Sequence, residues 1–170
     1  MGEHDALRAE FWEFSLDVYA RSGVAQACLS LQDRHGCDVN VLLLCLWLAK
    51  SRHLVLGGPE VRSVQRCAAA PADRLVRPVR SVRRWFKQWS GDALDHDPHA
   101  STYAALKEAE LHGERLVQAQ LIAGLHLCAL GSASSAETAA LTSFDNYRAT
   151  LAEPAATVSE LKGLAARALH

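Results

Sequence analysis

No C-x-x-C pair, no apolar run of bilayer length and no β-type alternation occurs anywhere in this chain. Each absence excludes a class. The five cysteines (Cys28, Cys37, Cys45, Cys67 and Cys128) are odd in number and widely spaced, which predicts buried thiols in a reducing compartment rather than a disulfide framework. The longest apolar run, Val39–Ala49 with Asn40 included, is 11 residues, whereas a membrane span takes about 20. No transmembrane segment is predicted. The opening M-G-E-H-D-A-L-R-A-E lacks the basic and apolar regions of a secretory leader, so a cytoplasmic protein is expected. Five prolines and ten glycines in 170 residues are too few for a long disordered tract. There is no G-x-x-x-x-G-K-[ST], no G-x-G-x-x-G, no H-E-x-x-H and no G-x-S-x-G. The reading therefore leans away from an enzyme of a familiar kind and implies no cofactor.

What is present is helical. A chain of this length buries enough surface for one core without metals or cross-links, and the patterning predicts a single all-α domain over residues 1–170: a compact bundle of six to eight helices. Its centre is the run Asp38–Arg52, whose only polar side chain between Asp38 and Lys50 is Asn40. A helix apolar on every face must be surrounded by protein. Before it, Phe11, Phe14 and Val18, widened by Trp12, Leu16 and Tyr19, predict an amphipathic helix over about Asp5–Arg21. A second helix, from Val24 to about Arg34, ends at His35-Gly36. Residues 1–4 are expected to be flexible. After the centre, Pro59–Ala69 is a short helix that Pro71 interrupts, and the next helix starts near Pro78 and ends near Trp89. Residues 90–100 read as a loop. Ser101 is the expected N-cap of a long helix to about Leu130, with Gly113 as the place for a bend. Capping-box spacings at Ser134/Glu137 and Thr157/Glu160, with Glu153-Pro154 between, predict two further helices within 131–170.

Charge is strongly segregated. Residues 1–49 carry a net −4, residues 50–87 a net +8 and residues 88–170 a net −5. The helix V-R-S-V-R-R-W-F-K-Q-W concentrates the positive part. At about 100° per residue, Arg83, Arg84 and Lys87 lie within about 60° of Arg80, while Val79, Val82, Trp85, Phe86 and Trp89 gather opposite. Such a row of guanidinium groups, with Trp85 at the seam, suits an acidic protein or nucleic acid. It equally suits solvent or the protein's own carboxylates. Fourteen arginines against four lysines can reflect base composition, and no recognised nucleic-acid motif accompanies the stripe. The expectation is that the basic face points outward.

In the long helix, Lys107, Glu110 and Glu114 share a side with Tyr103, Leu106, Val117, Leu121 and Leu125. A carboxylate in an apolar stripe must be paired or protonated, so Glu110 and Glu114 are expected to meet arginines of the preceding helix. The loop Asp95-His96-Asp97-Pro98-His99 has ligand-type residues but no partner pair at finger-like spacing, and reads as a surface turn. His126 reads as a packed core histidine. Asn40 is a buried polar group needing a partner.

The segments Phe11-Trp12-Glu13-Phe14-Ser15-Leu16-Asp17-Val18-Tyr19, Leu31-Gln32-Asp33, Gly36 and Asp38-Val39-Asn40 resemble an uncharacterised family of short proteobacterial proteins. The likeness continues through Arg77-Pro78-Val79-Arg80, where relatives have Pro-Leu-Arg, and through Lys107-Glu108-Ala109-Glu110-Leu111 with Glu114. It implies a bacterial, cytosolic, helical protein and brings no activity. Its charged positions are the ones that helix geometry places awkwardly, which suggests an ionic cluster between two helices. The candidate binding residues are thus Arg77, Arg80, Arg83, Arg84, Trp85, Lys87, Lys107, Glu110 and Glu114, with no catalytic or metal-binding residue assigned. Two functions follow: an interaction module offering the Arg/Trp helix to an acidic protein or nucleic acid, or an enzyme or small-anion binder built on the cluster.

Overall fold

The apolar run decides the architecture. In the computed structural model, which describes residues 3–125, 130–151 and 158–169, α3 spans Val39–Arg52 and is buried from Asn40 to Ala49. The Asp38 carboxylate caps it, accepting the Asn40 backbone N–H at 2.9 Å. His53, in the left-handed conformation, closes it. Cover on all sides comes from α1 (Glu3–Ala20), α2 (Val24–His35), α6 (His99–Leu125), α7 (Ala136–Arg148) and α8 (Val158–Leu169). Phe11 of α1 packs on Trp47 with ring centroids 5.4 Å apart. With α4 (Gly58–Pro71) and α5 (Arg77–Ser90), this makes an all-α bundle of eight α-helices among the described residues, and none is long and apolar enough to cross a membrane.

One small sheet has no counterpart in the sequence reading: β1 (Leu54–Val55) pairs antiparallel with β2 (Gly131–Ser132). Two residues are too few to show a period of two. The crossing is tied to α7, where Ser143 Oγ accepts the Leu56 N–H and Asn146 Nδ2 donates to the Leu56 carbonyl, each at 3.0 Å.

Both C-terminal helices pack on the core. Tyr147 of α7 places its hydroxyl 2.6 Å from the Asp38 N–H. Glu160 of α8 accepts from Arg34 at 2.9 Å and lies 2.6 Å from His35 Nε2. Arg21 and Lys50 donate to the carbonyls of Ala168 and Leu169, cations at the helix end that favours them. The N-cap of α7 is Ser135, not Ser134: Ser135 Oγ accepts the Thr138 N–H at 3.1 Å. Likewise α6 starts at His99, with the Thr102 N–H already on the Pro98 carbonyl at 3.0 Å, and Ser101 Oγ turns back to that carbonyl at 2.8 Å instead of capping forward. A 3-10 turn, Gly91–Asp95, occupies part of the expected loop. His126, Cys128, Glu153, Pro154 and Thr157 lie outside the described residues.

Pro71 does not interrupt the chain's helical course. α4 runs into a π-turn, Ala72–Val76, and on into α5, with Arg77 N–H reaching the Ala72 carbonyl five residues back. A wide turn here accommodates Pro78, which has no N–H and whose ring would crowd the carbonyl of a regular turn. It also takes up one extra residue. An unbroken α-helix through Val61, Val64 and Ala68 would next bring Pro71, Leu75, Pro78, Val82, Trp85 and Trp89 to the core. The buried residues are instead Val76, Phe86 and Ser90, with Arg80 and Arg83 half-buried among them. The basic face expected outside is therefore turned inward, and the tryptophans point out.

This segment lies close on α6, which runs unbroken for 27 residues through Gly113. A Cβ at Gly113 would sit 2.9 Å from Val76 Cγ2, and one at Gly124 would sit 3.0 Å from Val64 Cα. Gly113 is a point of close approach, not the expected bend.

Candidate functional site

The inward arginines meet the carboxylates of α6. Arg80 Nε donates to Glu110 Oε1 at 2.8 Å, Nη1 to Gln32 Oε1 at 2.8 Å and Nη2 to Glu114 Oε1. Arg83 Nε donates to Glu110 Oε2, and its Nη2 lies 3.4 Å from Glu110 Oε1. A forked guanidinium matches a carboxylate in this way where a lysine would not. The ion pairs expected between Glu110, Glu114 and the arginines are thus present, and Arg80 joins α2, α5 and α6 through one side chain.

Beneath them runs a polar chain into the core. Asn40 Nδ2 donates to Glu114 Oε2, Gln118 Nε2 donates to Asn40 Oδ1 at 3.0 Å, and Ser15 Oγ lies 3.2 Å from Gln118 Oε1. Asn40 so finds the partner its burial demands. Ser15 entered the sequence reading only as part of the family-like segment and Gln118 not at all, yet Gln118 continues the i, i+4 row of Glu110 and Glu114, and that spacing could have found it.

Burial alone would raise both carboxyls. At Glu110 it is outweighed by the hydrogen bonds from Arg83 and Arg80, which hold the group below the usual carboxylate range. At Glu114 burial prevails over the Asn40 hydrogen bond and the Arg80 charge, with Asp38 and Glu110 adding to the rise. Glu110 is the firm anion of the cluster and Glu114 the one that takes up a proton more readily. Arg80 is raised: its own burial is overcome by Glu110 and Glu114.

The cluster forms one wall of a cleft of about 430 Å³ between α1, α2, α3, α5 and α6. The other walls are largely apolar, supplied by Trp12, Leu16, Tyr19, Leu29, Val39, Leu43 and Leu111. Leu16, Leu29 and Leu111 of these walls are each close to half-exposed. Lys107 lines the same cleft and has no hydrogen-bond or ion-pair partner among the described residues. A second cavity, of about 470 Å³, also borders Arg80 and Glu114 and reaches Asp38 and Arg77.

The remaining candidates disperse. Arg84 borders the cleft but is half-exposed and pairs with Asp33 at 3.0 Å. Arg77 pairs with Asp73 at 2.5 Å, one turn back on the surface. Lys87 is exposed. Trp85, expected at the seam of the basic row, is 57% exposed on the opposite side and stacks on Trp89. His99, from the stretch read as a surface turn, packs against Phe86 and Trp89.

Among known proteins, a family model described as "Protein of unknown function (DUF2390)" matches residues 10–121. That span contains α2 to α5 and every residue of the cluster. No curated protein and no solved structure matches the chain.

Proposed function

From the premise that the chain belongs to the DUF2390 family, we propose that it is a binding protein whose cleft holds a small amphipathic anion. The observation that carries this reading is a charge imbalance inside an apolar-walled cleft. Arg80, Arg83 and Lys107 line it against Glu110 and Glu114, Arg84 being paired with Asp33, and Lys107 has no partner among the described residues. Ligand sites are typically concave, of about 300–1,000 Å³, mostly apolar, with a few convergent polar groups. Here the acid group of the ligand meets Lys107, and its apolar body lies along Trp12, Leu16 and Leu111. The salt bridges hold the arginines in place, so the site is organised before the ligand arrives.

Decanoate is a suitable probe, titrated calorimetrically against wild type, Lys107→Glu and Trp12→Ala, with decanol as the uncharged control. Reversing a charge that contacts the ligand's acid is expected to weaken binding about tenfold or more. Equal binding by the Lys107→Glu variant, or equal binding of decanol, overturns the reading.

A second reading keeps α5 as a docking helix for an acidic protein or nucleic acid. Arg80 and Arg83 have their N–H groups engaged by Glu110, so an outside anion meets Arg77, Arg84 and Lys87. Salt-sensitive capture of such a partner should be lost in Arg84→Glu/Lys87→Glu; unchanged capture removes this reading.

A further inference from the structure

The exposed side of α5 carries four apolar residues, Pro78, Val82, Trp85 and Trp89, spaced 4, 3 and 4 apart. At about 100° per residue they fall within an arc of about 60°. This is the spacing of a helix-pairing seam, yet it faces solvent: Val82 is 48%, Trp85 57% and Trp89 62% exposed. The tryptophans are held in place. Trp85 and Trp89 stack at 5.7 Å with 12° between their planes, and Trp89 rests on Phe86 and His99 at 5.8 Å each. An ordered aromatic stripe needs little side-chain ordering to bind, and tryptophan is the residue type that most often dominates an interface.

We infer that this stripe is the seam of a two-fold dimer, in which α5 pairs antiparallel with α5 of a second copy of the chain. Three observations select a second copy. The spacing 4-3-4 reads the same in both directions, so an antiparallel copy meets the stripe in register, Trp89 opposite the partner's Pro78 and Trp85 opposite the partner's Val82. Each contact sets a large side chain against a small one. The residues beside the stripe on its open side are Ser81 and Gln88; the nearest cation, Arg77, is paired with Asp73 one turn back, and Arg80, Arg83, Arg84 and Lys87 lie further toward the far side of the helix, so self-pairing sets no unpaired like charges against each other. Finally, the two tryptophans and Val82 expose on the order of 300 Å² of apolar surface per copy, against about 450 Å² for the apolar part of a standard interface. The stripe supplies most of what a modest dimer needs, and it lies on the side of α5 away from the ligand cleft.

Sedimentation equilibrium of the full chain from about 1 to about 300 µM tests this, since a self-association must follow mass action. A monomer–dimer equilibrium is expected, weakened about a hundredfold by Trp85→Glu or Trp89→Glu. Circular dichroism should show the fold of these variants unchanged. A pair of double variants at exposed positions probes the geometry without touching the tryptophans. Ser81→Glu/Gln88→Lys places opposite charges across an antiparallel seam and should tighten the dimer, and Ser81→Glu/Gln88→Glu should loosen it. A protein monomeric over the whole range overturns the inference, as does a dimer indifferent to Trp85 and Trp89. A tryptophan-dependent dimer that treats the two double variants alike overturns the antiparallel register. Tryptophan-dependent capture of a different protein by a chain that stays monomeric overturns the second copy as the occupant.

Discussion

Replacing Arg80 by methionine tests the cluster as the joint between α2, α5 and α6. Methionine keeps most of the side-chain length and removes the charge, so Glu114 retains only Asn40 and Glu110 only Arg83. Stripping one partner from a buried ion pair costs about 3–5 kcal/mol. The Arg80 and Glu114 side chains are 22% and 20% exposed, and water screening lowers the expected cost to about 2–4 kcal/mol. For a domain of this size that is a fall in Tm of about 5–15 °C. Equilibrium urea unfolding followed by circular dichroism reads it. The pH dependence fixes the cause. Glu114 is raised by burial, so its contribution to stability is present below its unfolded value of about 4.3 and lost as pH rises through its folded value. Glu110 is held low, so its contribution is present above about 4.3 and lost as pH falls through its folded value. Without Arg80 the Glu114 carboxylate is costlier still, and the difference between wild type and variant should be largest at about pH 7.5 and shrink toward about pH 4.5. Adding Glu114→Gln should recover much of the loss, since it removes the stranded charge. A cost below about 1 kcal/mol, a difference independent of pH, or strict additivity of the two substitutions would refute the reasoning.

Three further expectations follow from the packing. Gly124→Ala should destabilise by about 1–2 kcal/mol in thermal unfolding, although alanine is the better helix former by about 1 kcal/mol, because its Cβ meets the Val64 backbone at 3.0 Å. Tyr147→Phe removes the acceptor of the Asp38 N–H and should cost about 1–2 kcal/mol by the same measurement. Burial lifts the thiols of Cys28 and Cys45 to about 12 and that of Cys37 to about 11, so peptide mapping after mild alkylation of the native protein at about pH 8 should find half-buried Cys67 labelled well before these three.

The apolar stretch at α3 disclosed the fold because a helix with no polar side permits only an interior position. The pairing of Glu110 and Glu114 with arginines was legible for a similar reason, since carboxylates in an apolar row need a cation. The orientation of α5 was not. A helical wheel separates Arg80 from Trp85 but does not say which side turns inward, and residues 72–76 contain nothing that marks a π-turn apart from the nearby prolines. The cleft was legible only in part: its charged wall stands out in the sequence, whereas Trp12, Leu16, Leu43 and Leu111 come together only through the crossing of α1, α3 and α6. Ser134 and Ser101 show the remaining limit, because neighbouring serines and prolines compete for one cap and the backbone angle decides between them.

The π-turn between α4 and α5 acts as a vernier. It adds one residue to the helical course and changes the phase at which the second half is read. One residue of slippage separates a chain that hides its tryptophans from one that displays them and closes its cleft with arginines. What the five residues Ala72–Val76 contribute is therefore a number more than a chemistry. Substitution there leaves the count intact, whereas gain or loss of one residue turns the α5 faces by about 100° and exchanges what the protein shows to a partner for what it keeps for its own core.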